Sequence, residues 1–301
     1  MHTIIMNRLR PQAITAVLLA LLVLAGSTLL HAQEQTSVFE VRGADDNVLY
    51  LAGTIHLLRQ SDYPLPPQFE QAYEASDRLY FETDINALND VSLQSTIMQQ
   101  LTYQDGRTVR DVLNDEAYAA LEEYVSEAGM PMAMLQNFKP GLLYSTLSVV
   151  EFRKLGFTPQ GVDMYFNTRA MGDSKATAEL ESIQDQIDML AAMGEGNESD
   201  FILYALEDFE QAGEQVEIMV EQWRSGDMQA MQELFVADMK AEAPESYETM
   251  LVERNHNWIP VIEEALRDEG TAMVLVGVAH LPGEDGLLGL LEDRGYSISP
   301  L

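Results

Sequence analysis

Two apolar runs near opposite ends of the chain close on the same polar signal. Val48-Leu49-Tyr50-Leu51-Ala52 runs into Gly53-Thr54-Ile55-His56, and Ala272-Met273-Val274-Leu275-Val276 runs into Gly277-Val278-Ala279-His280. A short continuous apolar run bounded by turn residues reads as a buried strand. After His56 come Pro64, Pro66 and Pro67, a helical stretch from Gln68 to Ala75, and the run Arg78-Leu79-Tyr80-Phe81-Glu82. After His280 come Pro282 and Gly283, a helical stretch from Asp285 to Leu291, and Gly295-Tyr296-Ser297-Ile298. Each end therefore predicts strand, GxxH, loop, helix and strand, a βαβ unit with the histidine at the first crossover.

The pattern between these units is mostly helical. Ser37 to Val41 precedes the first motif strand across polar residues 43–47, which predicts a hairpin. Apolar residues at three-and-four spacing predict helices over 114–128, 140–155 and 161–171, punctuated by Pro131, Pro140 and Pro159. A short strand over 175–180 ends in Glu181, and helices follow over 183–193, 199–224, 228–239 and 255–266. Met130, Met132, Met134, Met189 and Met193 read as core filler. The fold class that follows is α/β. A central mixed sheet carries two pseudo-repeated βαβ GxxH units, and a large helical region, about 88–270, is inserted between them and covers the sheet.

The start of the chain reads differently. Arg8 and Arg10 precede an apolar stretch from Ala13 to Leu30, and Leu30-His31-Ala32 offers a cleavage site. This predicts a signal peptide over 1–32, a single domain over 33–301, and export to the periplasm or the exterior. The apolar length also allows an uncleaved N-terminal anchor. The chain holds 17 basic and 49 acidic residues, a net charge of −32; losing two arginines with residues 1–32 makes it 15 − 49 = −34. Such a surface excludes nucleic acid and anionic membranes as partners. The absence of cysteine excludes a thiol nucleophile, a thiolate metal site and disulfides.

Histidine is scarce: five in 301 residues, with His2 and His31 in the leader. Two of the remaining three occupy the same place in the same motif, at strand ends where open α/β sheets bind ligands. Imidazole and carboxylate together suit Zn, Mn, Fe or Co, so His56, His280 and Glu82 form a candidate metal set. Glu82 and Glu181 each close an apolar strand, a costly position for a carboxylate unless it is paired or ligated. Arg254 and Asn255 stand in Glu253-Arg254-Asn255-His256-Asn257-Trp258. A guanidinium there suits a carboxylate or a developing oxyanion; the plainer alternative makes Asn255 an N-cap and Arg254 a surface residue. His256 is expected to be silent.

Taken in order, Leu51-Ala52-Gly53-Thr54-Ile55-His56-Leu57, Phe81-Glu82, Gly161-Val162-Asp163, Glu179-Leu180-Glu181 with Gln186, Glu253-Arg254-Asn255 and Val276-Gly277-Val278-Ala279-His280-Leu281 resemble the TraB/GumN family. That family is related to the Tiki proteases and more distantly to erythromycin esterase-like and ChaN-like proteins. The resemblance spans nearly the whole chain after the leader. It implies paired GxxH motifs, an acidic residue and an arginine around one pocket, and metal-dependent peptide cleavage in the Tiki branch. The expected function is an exported metal-dependent hydrolase, most readily a peptidase, acting on a peptide or small molecule. His56, His280 and Glu82 would hold the divalent ion (Mn, Co, Zn or Fe). Glu181 would be general base or further ligand, with Arg254 and Asn255 in the catalytic set. The alternatives are a metal-free esterase using a GxxH histidine as general base, and a non-catalytic protein that binds a peptide or haem.

Overall fold

Alternate residues along the inner strands enter different cores, so the centre of the sheet is covered on both faces. The computed structural model describes residues 36–43 and 47–301; the expected signal segment, 1–32, lies outside the described residues. The strands are β1 (Val38–Arg42), β2 (Val48–Thr54), β3 (Arg78–Phe81), β4 (Ala176–Glu179), β5 (Ala272–Gly277) and β6 (Ser297–Pro300), in the sheet order β4-β3-β5-β2-β1-β6. β4, β3, β5 and β2 are parallel neighbours. β1 is antiparallel to both β2 and β6, so β6 shares the direction of the parallel set. The expected hairpin and mixed sheet are both present.

The topology places the two motifs side by side. From β2 the chain crosses over β5 to reach β3; from β5 it crosses over β2 and β1 to reach β6. β2 and β5 are neighbours whose crossovers leave in opposite directions. Such a switch point opens a crevice at the carboxyl ends of the two strands. Right-handed crossovers in opposite directions put their helices on opposite faces. Accordingly, Phe69, Ala72 and Tyr73 of the Pro67–Ala75 helix pack with Leu79, Phe81 and Leu275 in one core. Leu287, Leu290 and Leu291 of the Leu287–Glu292 helix pack with Leu49, Leu51 and Val274 in the other.

The helical middle has a core of its own. Leu121 and Val125 of the Asp115–Glu127 helix meet Leu143 and Leu147 of the Pro140–Lys154 helix and Ile202, Leu206 and Phe209 of the Glu198–Ser225 helix. That last helix has 28 residues and is therefore about 42 Å long. Its far half carries Val216, Val220 and Trp223 onto the sheet core. Trp223 Nε1 donates to the Gly53 carbonyl at 2.8 Å, tying the helix to the first motif.

Three local expectations differ from the structure. A helix over Val91–Gln100, capped by Asp90, was not legible because none of its residues is buried to mark a periodic face. The 228–239 run is interrupted by a π turn at Gln232–Val236. Met130 and Met132 do pack on the helical core, but Met134 is 68% exposed and fills nothing. Among the described residues, no helix is long and apolar enough to cross a membrane.

Candidate functional site

Close approach marks both motif glycines, severely at Gly53 and mildly at Gly277. A Cβ on Gly53 would lie 2.7 Å from Leu281 Cδ1 and 2.9 Å from Val278 Cγ2, both in the loop of the other motif. A Cβ on Gly277 would lie 3.3 Å from Glu82 Oε1, 3.5 Å from His56 Nε2 and 3.6 Å from His280 Cδ2. The second glycine is thus the floor of a small space bounded by the predicted carboxylate and both predicted imidazoles.

Each imidazole is fixed from behind. His56 Nδ1 faces Asp163 Oδ2 at 2.8 Å, and the other oxygen of Asp163 accepts from Thr54 Oγ1 at 2.9 Å. A carboxylate only accepts, so Nδ1 carries the hydrogen and Nε2 is turned toward the pocket. The attraction of Asp163 raises the His56 pKa from 6.5 to about 9, against the opposing effect of burial. The ring is 59% exposed at the pocket mouth. His280 is held differently. Asn255 Nδ2 donates to the carbonyls of Asp285 (2.8 Å) and His280 (3.4 Å), leaving Oδ1 as the acceptor 2.7 Å from His280 Nδ1. That assignment again puts the hydrogen on Nδ1 and the lone pair on Nε2. Burial pushes the His280 pKa down to about 3, with Arg254 and His56 adding to the effect of burial and Glu82 opposing it. One histidine is therefore basic and accessible, the other neutral and enclosed.

Glu82 stands between them. Its Oε1 lies 3.8 Å from His56 Nε2 and 4.0 Å from His280 Nε2, so those two nitrogens are no more than the sum, 7.8 Å, apart. Oε1 also accepts from the Gly277 N–H at 2.7 Å, and Oε2 from Arg254 Nη2 at 2.7 Å. Burial would raise the Glu82 pKa, but Arg254, the two imidazoles and the Gly277 N–H together hold it well below the usual carboxylate range.

Arg254 and Asn255 belong to the Glu253–Arg267 helix, which continues from a π turn at Glu248–Val252. A π turn changes the phase of the helix that follows it; here Arg254, Asn255 and Trp258 all face the site. The N-cap alternative is overturned: Asn255 lies inside the helix and is buried. Arg254 forks onto Glu181, with Nη2 2.7 Å from Oε1 and Nε 3.1 Å from it, and its Nη1 reaches His280 Nε2 at 3.2 Å. The guanidinium lies over the Trp258 ring at 4.6 Å, and Trp258 Nε1 donates to Glu181 Oε2 at 2.9 Å. Gln186 adds a further donor to Glu181 Oε1 at 3.0 Å. Both Glu181 oxygens are thus occupied. This arrangement disfavours the expected general-base role and makes Glu181 the anchor of Arg254.

Two residues outside the expected set take part. Asp163 orients His56, and the signal for it was present: Gly161-Val162-Asp163 opens the Val162–Asp173 helix. Trp258 closes the same polar cluster that holds Arg254, four residues on and hence on the same helix face. Gly161 explains how this helix reaches the motif. A Cβ there would fall 2.2 Å from both the carbonyl carbon and the oxygen of His56, and Val162 N donates to the Ile55 carbonyl at 3.0 Å. Gly161→Ala is therefore expected to cost about 1–3 kcal/mol, as overpacking against rigid backbone does. Calorimetry should show a melting temperature lower by roughly 3–10 °C, with an unchanged value contradicting the close approach.

Among the described residues, no three histidine or acidic side chains are gathered as a ready metal cage. Arg254 already engages two of the candidate ligands: Nη1 takes the His280 lone pair and Nη2 takes Glu82 Oε2. Each imidazole taken singly is spaced from Glu82 as two ligands of one ion would be. Metal–ligand distances of about 2.0–2.2 Å place two ligands of one ion no more than about 4.4 Å apart, and both separations from Glu82 fall inside that limit.

The sequence model of the TraB/PrgY/gumN family matches residues 37–300. The chain belongs to that family. No curated protein and no solved structure matches it. The family match spans both GxxH motifs and every site residue named above.

Proposed function

We propose that this protein is an exported hydrolase whose reactive centre is the pocket of His56, Glu82 and His280, and that it works with a divalent metal ion on a peptide bond. One observation carries the metal reading. Two imidazoles on neighbouring strands have their Nδ1 hydrogens tied back, to Asp163 and to Asn255, and flank one Glu82 oxygen. A hydrogen-bond acceptor behind the outward nitrogen is the usual companion of a metal-ligating histidine. His56 Nε2, His280 Nε2 and a Glu82 oxygen would hold the ion, which when bound would supply a water of lowered pKa and polarise a carbonyl. Arg254 would withdraw Nη1 from His280 while its grip on Glu181 keeps the cation beside the pocket. From there it offers N–H donors to an oxygen gaining negative charge. Asn255 keeps His280 in the tautomer that presents Nε2. Asp163 fixes the His56 ring with Nε2 toward the pocket.

A metal-free reading has its own support: Arg254 already sits on His280 Nε2, and the Asp163–His56 pair resembles the orienting half of a general-base system. Elemental analysis of the purified full chain, together with cleavage of a random peptide library with and without chelator, separates the two. The metal reading expects near-stoichiometric metal and activity that chelator removes and added ion restores. Turnover that survives complete metal removal would transfer the chemistry to His56 as base. Export is supported by the charged and apolar opening of the chain, and N-terminal sequencing of native material tests it.

A further inference from the structure

Beyond the reactive pocket, two open clefts line up along one helix. The first, about 640 Å³, is lined by Asp84, Asn86, Asp90 and Gln184 among others. It begins two residues after Glu82 and three after Glu181, at the carboxyl ends of the adjacent strands β3 and β4. Asn86 also exchanges hydrogen bonds with Asn167, one turn beyond Asp163, at 3.0 and 3.3 Å. The second cleft, about 400 Å³, includes Gln100, Gln104, Lys139, Asp188 and Ala191. Gln184 of the first cleft is bonded to two residues of the second, its amide donating to Gln100 Oε1 at 2.8 Å and to Asp188 Oδ1 at 2.7 Å. Gln184, Asp188 and Ala191 are spaced four and three apart on the Ile183–Ala192 helix, so they share one face. From Gln184 to Ala191 is about 10 Å of helix, which an extended chain crosses in about three residues.

We infer that this line of clefts is the substrate groove and that it takes an extended, cationic polypeptide segment leading into the reactive pocket. The inference rests on the hydrolase reading and gives it a substrate class. Its wall carries the amides of Gln184, Gln100 and Gln104, now bonded to one another, to Asp188 and to Thr102, and of the kind that match a peptide backbone once those bonds are exchanged. The facing wall is the Val91–Gln100 helix, none of whose residues is buried. Charge selects the sign. Arg107 is neutralised by Asp105 at 2.8 Å, which leaves Asp84, Asp90 and Asp188 against Lys139. The surrounding chain, at −32, steers cations toward the same surface.

The test measures binding before cleavage, so that the two readings fail separately. Fluorescein-labelled random decapeptides, one pool rich in lysine and one rich in glutamate, are titrated onto the full chain by anisotropy. Hydrogen exchange then locates the contact. The lysine-rich pool is expected to bind and to protect amides of the Val91–Gln100 and Ile183–Ala192 helices. Asp84→Asn with Asp90→Asn should weaken that binding about tenfold and raise KM, because asparagine keeps both helix caps but removes both charges. Protection elsewhere, equal affinity for the two pools, or unchanged affinity in the double variant would overturn the groove. Binding that protects these helices without any cleavage would leave the groove and remove the hydrolase. Cleavage with no protection there would do the reverse.

Discussion

His56→Ala and His280→Ala are each expected to abolish stoichiometric metal binding and peptide cleavage while leaving the sheet intact. The strands that carry them are held by backbone pairing of β2 with β5, which no histidine side chain supports. The two variants should differ in stability. His280 is buried and its loss leaves Asn255 Oδ1 without its partner, a cost of about 1–3 kcal/mol. His56 is 59% exposed, and its tie to Asp163 has a pH signature. Because its folded pKa, about 9, lies above the unfolded value of 6.5, the stabilisation is complete below pH 6.5 and is lost as pH rises through about 9. Solvent screening limits it to about 1 kcal/mol. The metal-free wild type should therefore lose stability between pH 6.5 and 9, and His56→Ala should not. Asp163→Asn should weaken metal affinity about 10–100-fold, as loss of an orienting partner does. Metal content, library cleavage and urea titrations across pH check the series. Full activity in both histidine variants would place the chemistry outside this pocket.

Much of this site was legible because strand ends are marked by composition. The apolar runs stop at Gly53 and Gly277, and Phe81 stops at Glu82, so periodicity alone brought three polar side chains to the sheet's carboxyl edge. Parallel pairing of β2 with β5 and of β3 with β5 then made them neighbours. Asp163 and Trp258 were harder to read. Each acts from a helix whose phase toward the sheet depends on tertiary contacts, on Gly161 pressed against the His56 carbonyl in one case and on the π turn at Glu248–Val252 in the other. A π turn has no composition of its own, and it is what turns Asn255 inward from the N-cap position that its residue type suggests. The Val91–Gln100 helix escaped for the opposite reason: with no buried face it lacks the apolar period by which helices are read.

Arg254→Met is expected to tighten divalent metal binding roughly 10- to 100-fold while lowering turnover. The guanidinium is a cation already seated in the pocket, on Glu82 Oε2 and against His280 Nε2. An incoming ion must work against that charge at close range, where two unit charges still interact by about 4 kcal/mol at 4 Å near a protein surface. Removing the charge removes the competition. It also leaves the buried Glu82 and the half-buried Glu181 without their shared partner, a loss of about 3–5 kcal/mol in the metal-free protein. The metal-free variant should therefore melt well below the wild type, and saturating metal should restore more of its stability than it adds to the wild type. Turnover should fall about 10²–10³-fold, since one donor to a developing oxyanion is gone. Arg254→Lys keeps the charge but not the fork that spans Glu82 and Glu181, so it should fold and bind metal about as weakly as the wild type. Calorimetric metal titration of the three proteins decides the matter. Weaker binding in Arg254→Met would mean that the guanidinium builds the metal site instead of competing for it. Equal binding in all three would place the ion away from His280.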